Sequence, residues 1–520
     1  MSETTILPTN VPDEGDARFD ELQRRLVPLW TSIAEFNQTP QTIVVVPSLS
    51  LDKAFPGAMQ QAYDERYLFL LLLLRQPRAR LIYITSEAIH PAVIDYYLDL
   101  LPGVLAWHAK QRLTLLSPLE GSSRPLSQKL LERPRMIERI RSLIADPMRA
   151  HLVPFITTPL ERDLAVALGI PMYGADPKHF HLGTKSGARQ IFAEEGVPHP
   201  QGSGELKSLD EVVDALVKMR TARPGMREAV VKLNEGVSGQ GNAMVDLGGA
   251  PAPGAPGERA ALLECVRKMQ FESSKMALDW YADKLAERGG IVEERIVGRE
   301  LRSPSAQLRI TPLGEVEMLS THDQRLGGPS GQSYLGCRFP ADLAYAPAIM
   351  REALKVGRRL MREGVLGRFA LDFVAVRNDR NDRNDWDCYA IEINLRKGGT
   401  THPFLTLQFL TDGRYDSEQG VFRTPRGESK YFVASDHVES PAYRRFTHED
   451  LFDLGARHGL HFDQSRQTGV VFHMMNAIGE YGVLGLTAVS NSHEEAEALY
   501  QQAIRTLDEE AALAAKPAGA

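Results

Sequence analysis

Residues 389–404 read YAIEINLRKGGTTHPF, and the fold turns on how this stretch is read. Tyr389, Ile391 and Ile393 alternate with other residues at period two, which predicts a strand. That period places Glu392 and Asn394 on one face and the two isoleucines on the other. A carboxylate and an amide oxygen side by side on a rigid strand end suit a hard divalent cation such as Mg²⁺. Arg396 follows, and then Gly398-Gly399-Thr400-Thr401-His402 forms a flexible, donor-rich turn suited to an anion.

Upstream, residues 369–376 (FALDFVAV) form a second apolar strand carrying one acid, Asp372. The intervening NDRNDRNDWD at 378–387 is a polar turn composition. Strand, turn and strand make a hairpin, and folding it about its centre brings Asp372 opposite Glu392 or its neighbour. A long loop leaves the register open by a residue. The alternative is that both acids lie on an edge and face water, but apolar residues flank each of them.

The chain has 520 residues, room for two to four domains. Its 43% apolar and 24% charged residues are ordinary for a globular protein. Sixty Lys+Arg against 67 Asp+Glu give a net charge of −7, which argues against a nucleic-acid binder held by bulk charge. Cys265, Cys337 and Cys388 are far apart and in no metal-ligand spacing, so a reducing compartment is expected. The polar, acidic start is not a signal peptide, and the apolar run at 68–74 is too short to span a bilayer.

Taken in order, residues 19–36 predict one helix. TIVVVP at 42–47 and RLIYIT at 80–85 predict strands joined by a helical stretch near 60–74, and HLVPFI at 151–156 continues the same sheet. This spacing is that of a parallel α/β unit. The turn after its first strand is PSLSLD, with no dinucleotide fingerprint. The character changes near 176. Lys185 precedes a predicted helix at 187–195. EAVVK at 228–232 is a strand that ends in Lys232 and runs into Gly236-Val237-Ser238-Gly239-Gln240-Gly241. Glycines after a strand let backbone N–H groups close on a phosphate, although a ligand-free hairpin turn gives the same composition. No Gly-Lys-Ser/Thr follows, so this is not a Walker A loop. Residues 248–257 (GGAPAPGAPG) are a low-complexity surface segment. GIVEERIV at 290–297 is a strand leading to Glu300 and Arg302. Residues 321–332 (THDQRLGGPSGQ) read as a polar, glycine-rich loop, either closing over a substrate or lying on the surface. Residues 413–440 read as irregular, with strands at 469–475 and 482–490 and a last helix opened by Ser492 and Glu495. His473, in an apolar strand, reads as a core histidine rather than a ligand.

The ordered set of a lysine before a helix, a lysine before a glycine loop, and a hairpin with Asp, Glu and Asn resembles the ATP-grasp superfamily of carboxylate–amine ligases over residues 180–410. EINLRKGGTTHP and STHDQRLGGPSGQ resemble the peptide ligases related to the one in pheganomycin biosynthesis. The resemblance implies an N-terminal parallel α/β domain (1–175), an ATP-grasp domain (176–412, with a lid at 185–297 and a metal-binding half at 298–412), and a small α+β extension (413–520). It implies that Lys185 and Lys232 contact the phosphates of ATP, with Gly236, Ser238, Gly239, Gln240 and Gly241 in the loop above them. Glu293, Glu294 and Ile296 fall at the adenine hinge, and Glu300 at the ribose. Asp372, Glu392 and Asn394 match the ligands of Mg²⁺, with Mn²⁺ as an alternative. Arg396 matches an arginine facing the reacting carboxylate. Many members also carry an arginine two residues before the metal-binding Asp; here that residue is Ala370, so Arg396, Arg302 or Arg368 would take its role.

The expected activity is an ATP-dependent ligase of the cytoplasm. It joins a small amino-acid-like carboxylate to an amine or peptide N-terminus through an acyl phosphate, releasing ADP and phosphate. Neither nucleic acid nor membrane is expected as a partner, and self-association stays open. A phosphotransferase and a non-catalytic nucleotide-binding module are the alternatives. The full metal set argues against the module.

Overall fold

The computed structural model describes residues 14–34, 40–50, 57–236, 241–271, 276–327, 331, 333–377 and 386–514. The chain divides into two compact units, Met1–Pro177 and Lys178–Ala520. Among the described residues no helix is long and apolar enough to cross a membrane.

In the first unit, β1 (Gln41–Val46), β2 (Ala79–Ile84), β3 (Leu113–Leu116) and β4 (Ala150–Pro154) form a parallel sheet ordered β3–β2–β1–β4. Its β-branched strands are nearly continuous apolar runs because helices cover both faces of such a sheet. Val44, Val46, Ile82 and Ile84 pack with Leu164 and Leu168 of the helix Pro159–Leu168. The single helix expected at 19–36 is two, Glu14–Gln23 and Leu26–Ala34.

The second unit opens with the helix Lys185–Glu194 and then a four-stranded antiparallel sheet. Its strands are β5 (Glu228–Leu233), β6 (Asn242–Asp246), β7 (Gln270–Phe271) and β8 (Gly290–Glu294), ordered β7–β6–β5–β8. The helices Leu209–Ala222, Glu258–Arg267 and Leu278–Arg288 bury Val212, Leu216, Leu262, Val266, Tyr281 and Leu285 against Val231, Val245 and Val292.

The remaining strands are β9 (Glu300–Arg302), β10 (Pro304–Ile310), β11 (Val316–Gly327), β12 (Ser333–Phe339), β13 (Gly367–Arg377), β14 (Asp387–Asn394), a small ribbon β15 (Arg414–Asp416) with β16 (Val421–Arg423), then β17 (Tyr431–Glu439), β18 (Gly469–His473) and β19 (Val483–Ser490). Apart from the ribbon, they form one sheet among the described residues, ordered β14–β13–β10–β11–β12–β17–β19–β18, with β9 paired to β13. The amphipathic helix Ala346–Arg362 buries Ile349, Ala353, Val356 and Leu360, at three- and four-residue spacing, on this sheet. Gly357 lets the backbone come close: a Cβ there would lie 2.7 Å from Val316 Cγ1.

Two expectations are corrected. Residues 321–327 are not loop but the end of β11. Their polar side chains alternate into partners: Asp323 accepts from Tyr345 Oη (2.6 Å), Gln324 donates to Asp372, and Arg325 pairs with Glu497. His322 packs between Phe339 and Phe432. Residues 431–439, also expected to be irregular, are the buried strand β17, whose Phe432 and Val433 enter the core. Polar residues hid both strands because their partners come from distant segments.

Candidate active site

Strands β13 and β14 pair antiparallel, with Asp372 opposite Glu392 and Ala370 opposite Asn394, and a bulge falls between Asp372 and Phe373. Bulges re-aim side chains where ladders meet functional sites. Asp372 accepts from Gln324 Nε2 (2.7 Å), Asn394 Nδ2 (2.9 Å) and the Ser305 hydroxyl. Burial first, and the Glu392 charge second, push its carboxyl up to about 6. Burial would raise Glu392 as well. The charge and hydrogen bond of Lys185, with Arg396 and Lys232 behind them, outweigh that and hold Glu392 below the usual carboxylate range.

Lys185 is the first residue of its helix. Thr184 caps that helix by accepting from Gly187 N (3.1 Å), and Ser186 N donates to Asn234 Oδ1 (3.0 Å), which ties the helix start to the end of β5. The buried Lys185 ammonium pairs with Glu392. Lys232, on β5, pairs with Glu293 on β8, and Arg189, one helical turn beyond Lys185, reaches the other oxygen of Glu293 at 3.3 Å. Gly241 closes the glycine loop: its carbonyl accepts from Leu233 N (3.0 Å) and Tyr281 Oη (2.8 Å). Gly236 leaves the end of β5 half-buried, and Ser238, Gly239 and Gln240 lie outside the described residues.

This arrangement brings Lys185, Lys232, Asp372, Glu392, Asn394 and Arg396 into one electrostatic neighbourhood. Two carboxylates and an amide stand together at a strand end, and their mutual repulsion is already visible in Asp372. Oxygen donors in that state fit a hard divalent cation. The neighbouring cations fit a polyphosphate.

The IQCH-like ATP-grasp family matches residues 178–250 and 258–418, and the PGM1 C-terminal domain family matches 450–503. The L-propargylglycine–L-glutamate ligase of Streptantibioticus cattleyicolor is 32% identical over 451 residues, covering 85% of this chain and 88% of that protein. The chain belongs to the ATP-grasp ligase family. IQ motif-containing protein H of Danio rerio is 24% identical over 507 residues, and the match takes in 47% of its length. The biotin carboxylase domain of Hydrogenobacter thermophilus 2-oxoglutarate carboxylase, solved with MgADP, superposes with a TM-score of 0.54 at 14% identity, covering 90% of each chain. Campylobacter jejuni biotin carboxylase gives 0.52 at 13% identity, covering 92% of this chain and 96% of that one. At such identities these two structures speak for the fold alone.

Other residues singled out by the ATP-grasp resemblance lie apart from the Asp372–Glu392 pair. Glu294, opposite in direction to Glu293 on β8, pairs with Arg223 and accepts from Gln201 N (2.9 Å). Ile296 is half-buried just beyond β8. Glu300 pairs with Arg302 and Arg377, and its strand lies opposite residues 375–377 of β13. That is about 17 Å along the strand from Asp372 at 3.4 Å per residue. Arg302 is bound to Glu300 and stacks over Trp386 at 6.0 Å, whereas Arg396 acts on both Asp372 and Glu392. At Ala370, the departure from the family pattern, the side chain is buried. Arg368 instead acts on the buried Lys397, whose ammonium is pushed down to about 7, first by burial and then by Arg368. Ser305, Gln324 and Arg189 are contributors the sequence did not flag. Ser305 and Gln324 are polar residues inside strands, and Arg189 lies on the helix Lys185–Glu194, one turn beyond Lys185.

Proposed function

We propose that this chain is an ATP-dependent ligase that forms an amide bond between a small amino-acid-like carboxylate and an amine, with a peptide N-terminus as a candidate acceptor. The observation that carries this reading is the convergence of Lys185, Lys232 and Arg396 on the paired acids Asp372 and Glu392. The 32% identity to a ligase whose name joins two amino acids supports the donor and acceptor classes.

In the proposed mechanism, Lys185 and Lys232 exchange their carboxylate partners for phosphate oxygens when ATP binds. Asp372, Glu392 and Asn394 would hold Mg²⁺, which when bound offsets the charge of the terminal phosphates. Gln324 and Ser305 orient Asp372 by donating to its oxygens. Arg396 would hold the substrate carboxylate in line with the γ-phosphate. Carboxylate attack on that phosphorus gives an acyl phosphate and ADP. The amine then attacks the acyl carbon, phosphate leaves, and a proton is lost from nitrogen. Hinge contacts to adenine are assigned to the β8 end at Glu293, Glu294 and Ile296, and ribose contacts to Glu300, on the family resemblance.

The test combines candidate amino acids with ATP, Mg²⁺ and hydroxylamine. Hydroxamate with stoichiometric ADP is the expected result. AMP as the stoichiometric product overturns the acyl-phosphate route, and ADP with a phosphorylated alcohol and no amide or hydroxamate makes the chain a phosphotransferase.

A further inference from the structure

Three buried side chains outside the nucleotide site meet at one point. His402 Nε2 lies 3.0 Å from His473 Nε2, His473 Nε2 lies 2.9 Å from Asp436 Oδ1, and His402 Nε2 lies 3.2 Å from the same oxygen. The residues are 3–4% exposed and come from three separate segments: the start of the helix Thr401–Thr411, β17 and β18.

A triangle of this size is poorly explained by hydrogen bonds. A hydrogen bond prefers a D–H···A angle above about 150°. Each Nε2 carries at most one hydrogen, and the oxygen of an ionised carboxylate carries none. At most two of the three edges can then be hydrogen bonds, both ending on one oxygen and leaving two nitrogens in bare contact. A tetrahedral ion with bonds of about 2.0–2.1 Å spaces its ligand atoms about 3.3 Å apart, so one ion accounts for all three edges.

The backbone is shaped for this meeting at three places. Asp436 falls where the register of β17 against β19 shifts between Ser435 and Val438, a bulge that re-aims its side chain. Residue 485 faces His473 across β18 and β19, and any Cβ there would overlap the imidazole, so glycine is required. Directly after His473, Met474 adopts a left-handed conformation (φ 56°) that is uncommon for a residue with a side chain.

We propose that His402, Asp436 and His473 bind a divalent first-row transition ion of the zinc class. Two imidazoles and one carboxylate favour such an ion over Mg²⁺ or Ca²⁺, which prefer all-oxygen sets. The ion fastens the turn that begins at Gly398, just beyond Arg396, to strands β17 and β18. It is therefore a positioning site, separate from the Asp372–Glu392 pair and independent of the reaction proposed above.

The experiment uses the full chain, stripped with a chelator and titrated with Zn²⁺ or Co²⁺ alone in the presence of excess Mg²⁺. About one equivalent of Zn²⁺ should bind and raise the melting temperature of the stripped protein. Co²⁺ should give the intense visible bands of tetrahedral coordination, which an all-oxygen octahedral site does not. Asp436→Asn and His473→Gln should lower Zn²⁺ affinity at least tenfold and abolish the bands, and Glu392→Gln should keep them. Should the two core variants fail to fold by circular dichroism, the wild-type Co²⁺ spectrum and the chelator shift decide alone. Absence of tetrahedral bands with no change in melting temperature on chelation means a metal-free His–Asp–His core cluster and overturns the proposal. Bands that vanish in Glu392→Gln overturn it too, because the ion would then sit at the nucleotide site.

Discussion

Glu293→Gln is the most informative single change. The Glu293 carboxylate serves two cations, Lys232 and Arg189, and the three side chains are only 3%, 7% and 8% exposed. Removing the anion leaves two like charges buried side by side. Truncating one partner of a buried pair costs about 3–5 kcal/mol, and with this burial no discount for solvent screening applies, so about 4 kcal/mol is expected. Lys232→Met differs in kind, since Arg189 and Glu293 remain as a balanced pair, and it should cost less than half as much. The second unit spans residues 178–520. At about 2.1 cal/mol/K per residue its unfolding entropy is about 0.7 kcal/mol/K, so Glu293→Gln should lower its melting temperature by about 6 K. Urea unfolding of the full chain, followed by fluorescence and circular dichroism, measures the free energies. Magnesium tripolyphosphate offers Lys232 a replacement anion without the adenine that Glu293 is proposed to contact, so its stabilisation should be larger in Glu293→Gln than in the wild type. Saturation at 100 times Kd contributes about 2.7 kcal/mol. A loss below about 1 kcal/mol for Glu293→Gln, or equal losses for the two variants, would refute the charge count. Equal tripolyphosphate shifts in wild type and Glu293→Gln would remove Lys232 from the phosphate site.

Glu392→Gln should leave far-UV circular dichroism unchanged and lower turnover by two to three orders of magnitude, roughly the worth of a lost electrostatic contact at a reacting centre; near-wild-type turnover takes Glu392 out of the metal set. Burial and the Glu392 charge push the Asp372 carboxyl up to about 6, so a Mg²⁺ ion held there would have to displace a proton at lower pH. Mg²⁺ affinity, read by calorimetry, should fall as pH drops through 6 and level off above 7, and a flat profile contradicts the assignment. Gln324→Leu removes one donor from Asp372 and should weaken Mg²⁺ binding while nucleotide binding without metal stays unchanged.

The hairpin was legible because period-two alternation, interrupted by a polar turn, is a local property. Sequence alone therefore determined that Asp372 would lie opposite Glu392 or its neighbour and that lysines preceded a helix and a glycine loop. It also determined the parallel unit, whose buried strands are continuous apolar runs. Tertiary structure decided the exact register, the pairing of each lysine with an acid from another segment, and the strand nature of 321–327 and 431–439. Those stretches carry polar residues whose partners lie tens or hundreds of positions away, as with Arg325 and Glu497. His473 shows the same limit: 71 residues separate it from His402 and 37 from Asp436. No spacing rule in the chain could join them, and only the continuation of β17, β19 and β18 from the sheet that carries the hairpin brings the three together.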